Sequence, residues 1–368
     1  MHRLKNKKIC LIIPSLQSGG MERVMSELVS YFCSKEEFEV HLVLYGLTRE
    51  IFYPIPDNLI VHKPAFDFVN SKRTWNTLKT LWFLRKKIKE IHPDTVLSFG
   101  ELWNNFVLLA TLGLSYPVFV SDRCQPDKSL GKLHNRLRNW LYPKASGVIC
   151  QTEVAKTIYS KMFHHTNLAV IGNPIRDIEP NTTFKKENIV LSVGRLIQSK
   201  HHDELIQIFS EIDAADWKLV IVGDEALKQK NKEKLENLIK DLGIQNRVEL
   251  AGERLDVENY YNKAKIFAFT SSSEGFPNVI GEAMSAALPV VAYDCVAGPS
   301  DLIYHEKTGF LIKLHDSSSF KEALEKLMKD ESLRSSYGQQ GKLIIQKFSV
   351  QYVAQKFEKT ILNACTAN

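Results

Sequence analysis

The chain has 368 residues, more than one hydrophobic core usually supports, so two domains are expected. Its 44% hydrophobic and 24% charged residues are ordinary for a soluble globular protein, and no apolar run is long enough to span a bilayer. The net charge of +6 is unevenly spread: residues 1–180 hold 24 Lys+Arg against 16 Asp+Glu, and the remainder holds 24 against 26.

The start, Met1 to Lys8, is basic, but the apolar run Ile9 to Ile13 is too short for a signal peptide. The six cysteines (Cys10, Cys33, Cys124, Cys150, Cys295 and Cys365) form no Cys-x-x-Cys pair. That usage suits reduced thiols in a cytoplasm and leaves the Asn181-Thr182-Thr183 glycosylation sequon idle.

Residues 8–180 alternate short β-branched runs with longer helical patterns, which predicts a parallel sheet wrapped by helices. Strands are expected at Lys8–Ile13, Val40–Leu44, Thr95–Phe99, Val118–Ser121, Gly147–Gln151 and Leu168–Ile171, and helices at Met21–Cys33, Trp75–Ile91, Trp103–Leu112, Leu133–Tyr142 and Glu153–Met162. The first turn, Pro14 to Arg23, carries Gly19 and Gly20 ahead of a helix, where backbone can approach a ligand. Its spacing is not that of a dinucleotide fingerprint, and such a pair also makes a plain tight turn. Two basic clusters, Arg85-Lys86-Lys87 with Lys89, and Lys132, Arg136, Arg138 and Lys144, are interleaved with Trp82, Phe83, Trp140 and Tyr142. They could rest on an anionic membrane or hold a pyrophosphate, or be solvated helix faces above a buried stripe; no nucleic-acid motif accompanies them.

The polar, Pro-bearing stretch from Gly172 to Asn188 reads as an interdomain linker. The alternation then restarts, with strands expected at Ile189–Val193, Lys218–Val222, Val248–Leu250, Ile266–Phe269, Pro289–Ala292 and Phe310–Ile312. Three helical stretches close the chain, the last at Val350–Leu362.

The chemistry-bearing residues gather in this second half. In the run Ser271 to Met284, a strand passes through a Ser/Gly/Pro turn into a helix, whose free N–H groups and dipole favour an anion. Glu274 falls in that turn and Glu282 about a turn and a half into the helix, where a carboxylate could hold a diol such as a ribose. Both point to a sugar nucleotide. After the first strand of this half comes Val193-Gly194-Arg195-Leu196 with Lys200; an Arg fork and a Lys point charge can offset the charge on a diphosphate leaving group. Gly223 and Gly252, the latter before Glu253, end two further strands and permit close approach of a base or ribose, or simply end the strands. Ala297 to Leu302 suggests a helix start capped by Ser300 or Asp301. The pairs His201-His202 and His164-His165 lack metal spacing, and no Asp-x-Asp is present.

With these motifs the chain resembles the retaining glycosyltransferases of family 4, bacterial enzymes of lipid-linked oligosaccharide and surface polysaccharide synthesis among them. The resemblance rests on Gly19-Gly20-Met21-Glu22-Arg23, Asn173-Pro174, Val193-Gly194-Arg195-Leu196 with Lys200, Ser273-Glu274-Gly275-Phe276-Pro277, and Glu282-Ala283-Met284. It implies an α/β fold of GT-B architecture, two Rossmann-like parallel-sheet domains facing across a cleft: residues 1–175 for the acceptor, 176–348 for the nucleotide-sugar donor, and 349–368 as a C-terminal helix returning to the first domain. It implies Arg195, Lys200 and Glu274 as catalytic, with Gly194, Glu253, Gly275, Phe276, Pro277, Asn278 and Glu282 binding the donor. Gly19, Gly20, Glu22, Arg23, Glu101, Asn104 and Arg123 are then acceptor-side. Many relatives carry a histidine just past the strand ending at Phe99, whereas this chain reads Gly100-Glu101-Leu102-Trp103-Asn104, so Glu101 or Asn104 would take its role. Relatives also often have glycine where Ala287 stands before Leu288-Pro289.

The function implied is metal-independent, retaining transfer of a hexose or N-acetylhexosamine from UDP-GalNAc, UDP-GlcNAc or UDP-Gal to a glycan acceptor on a polyprenyl diphosphate lipid. No cofactor is expected beyond the substrate, and the protein would visit the inner face of the cytoplasmic membrane. The alternatives are an inactive UDP-sugar-binding scaffold and a UDP-sugar epimerase.

Overall fold

The computed structural model describes residues 6–17, 19–46, 49–67, 70–181, 183–225 and 230–363. Met1–Lys5, Thr182 and Cys365, on which parts of the sequence reading rest, lie outside them. The chain divides into two compact units, residues 1–174 with 350–368, and residues 175–349.

The first unit runs β1 (Lys7–Ile13), α1 (Gly20–Cys33), β2 (Phe38–Leu44), β3 (Ile60–His62), α2 (Arg73–Ile91), β4 (Thr95–Phe99), α3 (Glu101–Thr111), β5 (Val118–Ser121), α4 (Lys132–Leu141), β6 (Gly147–Cys150), α5 (Glu153–Met162) and β7 (Leu168–Val170). Its seven-stranded parallel sheet has the order β3-β2-β1-β4-β5-β6-β7. The interior strands read as unbroken apolar runs because helices cover both faces. Alternate residues Cys10, Ile12, Val96, Val118, Val120 and Val148 pack under α2–α5. Strand β3 was not expected; a three-residue edge strand carries too little pattern to be read from sequence.

The second unit runs β8 (Ile189–Val193), α6 (His202–Ser210), β9 (Lys218–Val222), α7 (Asn231–Asp241), β10 (Val248–Gly252), α8 (Val257–Lys263), β11 (Ile266–Phe269), α9 (Asn278–Ser285), β12 (Val290–Asp294), α10 (Pro299–Leu302), β13 (Gly309–Lys313), α11 (Ser317–Lys329) and α12 (Glu331–Ile345). Its six strands are parallel in the order β10-β9-β8-β11-β12-β13. The period of two is plain: Ile189, Leu191, Val220, Val222, Phe267 and Phe269 enter one core layer, and Val190, Leu219, Ile221, Ile266 and Ala268 enter the other.

Residues 175–178, read from sequence as part of a linker, are packed on the second unit. Ile175 and Ile178 are buried, Ile175 N donates to Phe348 O (2.8 Å) and Ile178 N to Ser285 Oγ (3.1 Å). Gly281 lies so close that a Cβ there would meet Ile175 Cδ1 at 2.6 Å. The last helix, α13 (Val350–Asn363), belongs to the first unit: Tyr31 Oη donates to Glu358 Oε2 (2.6 Å), Lys35 pairs with the same oxygen, and Phe357 lies against Phe99.

Candidate active site

In the second unit the loops at the carboxyl ends of adjacent strands converge, the place where open parallel sheets bind ligands. Gly223, after β9, has φ 144°, and a Cβ there would sit 2.1 Å from Gly194 O, so only glycine lets the two strand ends meet. Gly194 N donates to Val222 O (2.9 Å) and Gly223 N to Gly252 O (2.9 Å), which joins the ends of β8, β9 and β10. Glu253 follows Gly252 and is exposed.

The loop after β8 is locked to the loop after β11. Thr270 Oγ1 donates to Lys200 O (2.8 Å), Ser271 Oγ to Ser199 O (3.1 Å) and Ser272 N to Ser199 O (2.9 Å), while His201 Nε2 and Ser272 Oγ share a hydrogen bond (2.8 Å). Thr270, Ser271 and Ser272, the serines of which the sequence shows only as part of a turn, thus clamp the two motif loops. The clamp brings Lys200 Nζ and Glu274 Oε1, 74 residues apart, into direct contact, with both side chains largely buried. Arg195 stays exposed, and its guanidinium forms no ion pair among the described residues. A lysine ammonium has three N–H donors, so Lys200 keeps donors beyond the one given to Glu274.

His202, at the start of α6, lies beneath this loop and is 4% exposed. Its ring nitrogens make no well-formed side-chain hydrogen bond, and burial, reinforced by Lys200 and opposed by the backbone of Gly194 and Arg195, pushes its pKa down to about 4. It is therefore neutral near pH 7 and adds no charge beside Lys200.

Glu282 is placed by α9, is 6% exposed, and accepts from Tyr261 Oη through Oε2 (3.1 Å). Tyr261, from α8, had no signal in the sequence beyond its apolar surroundings. The turn Gly275–Pro277 is buried, with Phe276 against Phe348 and Pro277 as N-cap of α9, whose first residue is Asn278. Gly298 has φ 107°, and a Cβ there would meet Pro277 Cδ at 2.3 Å, so the loop before α10 braces the turn. The expected cap by Ser300 or Asp301 is corrected: Gly298 is the N-cap of α10 and no side chain caps it.

Among the described residues one group of three could hold a metal: His201, Glu204 and His315, with ligand atoms within 4.8 Å of one another. Sequence spacing could not reveal it, because His315 comes from the loop after β13. The carboxylate is already engaged, accepting from Tyr293 Oη (2.5 Å) and Ser317 Oγ (3.0 Å) and bonding His315 Nδ1 (2.9 Å).

In the first unit, Gly19 is the N-cap of α1 and is pinned by Tyr53, whose hydroxyl accepts from Gly19 N (3.0 Å) and donates to Gly19 O (2.9 Å). Gly20 opens α1, and Glu22 and Arg23 occupy its first turn, with a Glu22 oxygen 2.3 Å from where a Gly19 Cβ would stand. Arg123 stacks 3.8 Å from the Phe99 ring centre and donates Nη1 to Asn173 Oδ1 (2.6 Å). Its Nε and Nη2 have no partner among the described residues, and burial pulls its pKa below the usual arginine range.

The sequence expectation for Asn104 fails. It is fully buried: its Oδ1 accepts from Ser98 Oγ (2.8 Å), and its Nδ2 lies within hydrogen-bond reach of Ser121 O, Asp122 Oδ1 and Tyr142 Oη. With its groups committed to the interior, Asn104 is structural, and Glu101, half-buried at the first turn of α3, is the residue of that pair left at the surface.

Two family models match the chain: "Glycosyltransferase Family 4" over residues 18–177 and "Glycosyl transferases group 1" over residues 175–344. The chain belongs to these glycosyltransferases, and its two Rossmann-like units have the GT-B fold. Over 363 residues it is 28% identical to the GalNAc-alpha-(1->4)-GalNAc-alpha-(1->3)-diNAcBac-PP-undecaprenol alpha-1,4-N-acetyl-D-galactosaminyltransferase of Campylobacter jejuni, covering 96% of this chain and 98% of that one. It is 29% identical to the amylovoran biosynthesis glycosyltransferase AmsD of Erwinia amylovora, covering 90% and 93%. Among solved structures, Anabaena Alr3699/HepE in complex with UDP superposes with a TM-score of 0.80 at 20% identity, covering 97% of this chain and all of that one.

Proposed function

We propose that this glycosyltransferase moves an N-acetylhexosamine or hexose from a UDP-sugar to a glycan carried on a polyprenyl diphosphate lipid, with retention and without a metal. The observation that carries the reading is the Lys200–Glu274 contact beside the unpaired, exposed Arg195 at the carboxyl edge of the second sheet. Arg195 would fork onto the diphosphate and Lys200 would give it the donors not used on Glu274, stabilising the charge that builds as the glycosidic bond breaks. Glu274 would orient Lys200 with one oxygen and accept from a sugar hydroxyl with the other. Glu282, oriented by Tyr261, would hold the ribose. In a front-face path the acceptor hydroxyl attacks the anomeric carbon from the side that UDP leaves, and its proton passes to the departing diphosphate oxygen.

The lipid-linked acceptor is supported by the Campylobacter relative, whose name specifies a glycan on undecaprenyl diphosphate. Among the described residues no helix is long and apolar enough to cross a membrane, so such an acceptor would be met at the bilayer surface. The test is incubation with UDP-GalNAc, UDP-GlcNAc and UDP-Gal, with and without chelator, on short polyprenyl diphosphate glycans. Product mass and the NMR coupling of the new anomeric proton are read. An extended product with the donor's anomeric configuration, insensitive to chelator, is expected. Donor turnover to a new sugar without acceptor would mean an epimerase instead, and UDP binding without any turnover would mean a scaffold. In Glu282→Ala, UDP affinity should fall about tenfold, as for loss of a charged hydrogen-bond acceptor.

A further inference from the structure

In the first unit, α2, α3 and α4 lie side by side on one face of the sheet. Arg85 Nη1 of α2 donates to the carbonyls of Ala110 (2.9 Å) and Leu112 (2.8 Å) at the end of α3, and Asn105 Nδ2 of α3 donates to His134 O of α4 (3.3 Å). All three contribute to the core beneath them. Their outer faces are unusual. On α2 the buried residues Asn76, Thr80, Leu84 and Ile88 recur every fourth position, while Trp75, Leu78, Lys79, Trp82, Lys86 and Lys89 fall on the opposite face, within about 100° of arc. Trp75 is 58%, Leu78 54% and Trp82 65% exposed. On α4, Leu133 (67%) and Trp140 (51%) flank Arg136 on the side away from the core.

Of the five tryptophans, the three more than half exposed all lie on these two helices. Each has a lysine ammonium over its ring: Lys79 on Trp75 (5.7 Å), Lys86 on Trp82 (5.1 Å) and Lys144 on Trp140 (5.4 Å). Residues 70–91 and 132–144 together hold eleven Lys+Arg against one acidic residue, Glu90, so the rest of the chain is net negative. Of the aromatics in the basic clusters, Phe83 is half-buried and Tyr142 fully buried, so the face is made by Trp82 and Trp140 with Trp75, Leu78 and Leu133.

We infer that the outer face of α2 and α4 is a membrane-docking surface for an anionic bilayer, on which the tryptophans and leucines enter the headgroup boundary while the lysines contact lipid phosphates. Two observations select this occupant. The apolar residues are ringed by cations, with Glu90, paired to Lys86 and Lys87, the one acidic residue on the two helices, and a rim of such strongly positive charge would repel a second copy of the same face. Tryptophan beside lysine is also the pairing that sits best at a bilayer interface, with the ring in the headgroup layer and the ammonium above it. Two neighbouring helix spacings place the two stripes roughly 20 Å apart, so docking through both would fix the orientation of the unit on the surface. The inference extends the lipid-linked reading above but is tested without any transfer reaction.

The full chain would be mixed with phosphatidylcholine vesicles and with vesicles also containing phosphatidylglycerol, and followed by cosedimentation and tryptophan emission. Binding to the anionic vesicles only, with a blue shift of emission and weakening in high salt, is expected. Trp75→Ala/Trp82→Ala and Lys79→Glu/Lys86→Glu should each lower vesicle affinity at least about tenfold, with thermal midpoints close to wild type. Equal affinity for neutral and anionic vesicles, no binding at all, or double variants that bind like wild type would overturn the inference. So would a self-association of the wild type that the tryptophan variant abolishes, because the face would then belong to a second copy.

Discussion

The two domains share a parallel sheet with loops at its carboxyl edge, yet they use their polar residues in opposite directions. In the first domain Asp122 is completely enclosed, accepting from Tyr142 Oη (2.5 Å), Tyr159 Oη (2.7 Å) and Asn104 Nδ2 (2.9 Å). Burial pushes its pKa up, and the hydrogen bonds from the tyrosines oppose that rise. In the second domain the equivalent edge keeps Arg195 exposed and the Lys200–Glu274 pair largely buried, with their loops held from behind by hydroxyl-to-carbonyl bonds. A buried polar network that is fully satisfied makes loops rigid; a charge cluster that is left partly unsatisfied is available to a ligand. The same architecture therefore yields one edge closed by internal hydrogen bonds and one that keeps free donors at its surface.

The sharpest way to break this contrast is Asp122→Ala, which strands two tyrosine hydroxyls and an amide inside the first domain. The expected loss is about 3–5 kcal/mol of stability in urea unfolding. A loss under 1 kcal/mol would mean that the network is not structural. Arg195→Ala should do the reverse: kcat lower by about a hundred- to a thousandfold, worth about 3 kcal/mol of barrier, with the urea midpoint unmoved. Near-normal turnover would remove Arg195 from the diphosphate role.

Acid should separate the domains more finely. The folded pKa of His202, about 4, lies below its ordinary 6.5, so between those values the unfolded chain binds more protons. Its contribution is complete above pH 6.5 and is lost as pH falls toward 4, by about 2–3 kcal/mol. His62 in the first domain is also pulled down to about 4, by burial and His41, but it is only half-buried and should contribute less. The stability of His202→Asn should therefore fall less between pH 7 and pH 4.5 than that of wild type; parallel pH profiles would show that the buried ring does not govern this limb.

The smallest effect concerns Ala287, which has φ 56°. A left-handed conformation suits glycine, so alanine at this point is strained. Ala287→Gly should raise stability by up to about 1 kcal/mol, unless the entropy of the unfolded chain offsets it. A fall in thermal midpoint would argue that the strain is relieved elsewhere.

Much of the fold was legible because buried parallel strands leave long apolar runs. Ile189–Val193, Lys218–Val222, Ile266–Phe269, Thr95–Phe99 and Val118–Ser121 stand where periodicity puts them. Edge strand β3 was not, since three residues carry too little pattern, whereas the helix start read at Ala297 to Leu302 stands as α10 with a different cap. In the site, Arg195, Lys200, Glu274 and Glu282 were visible as residue types flanking glycine turns. Tyr261, Thr270 and His202 were not, because a tyrosine, a threonine or a histidine in an apolar segment looks the same whether it orients a carboxylate, ties a loop or fills a core. Asn104 was misread for the same reason: an asparagine near a strand end is polar by type, and its burial is a tertiary property.

By itself the sequence determined the two alternating α/β halves, the glycine turns after their strands and the family to which the chain belongs, because hydrophobic period and backbone permissiveness act over a few residues. The tertiary structure decided which polar groups meet. Lys200 and Glu274 are 74 residues apart, Asp122 gathers hydroxyls from 20 and 37 residues away, and the tryptophans of α2 and α4 share a surface only because α3 packs between them. Such encounters depend on how helices and strands stack, and stacking is set by the fit of the whole core, which no local pattern encodes.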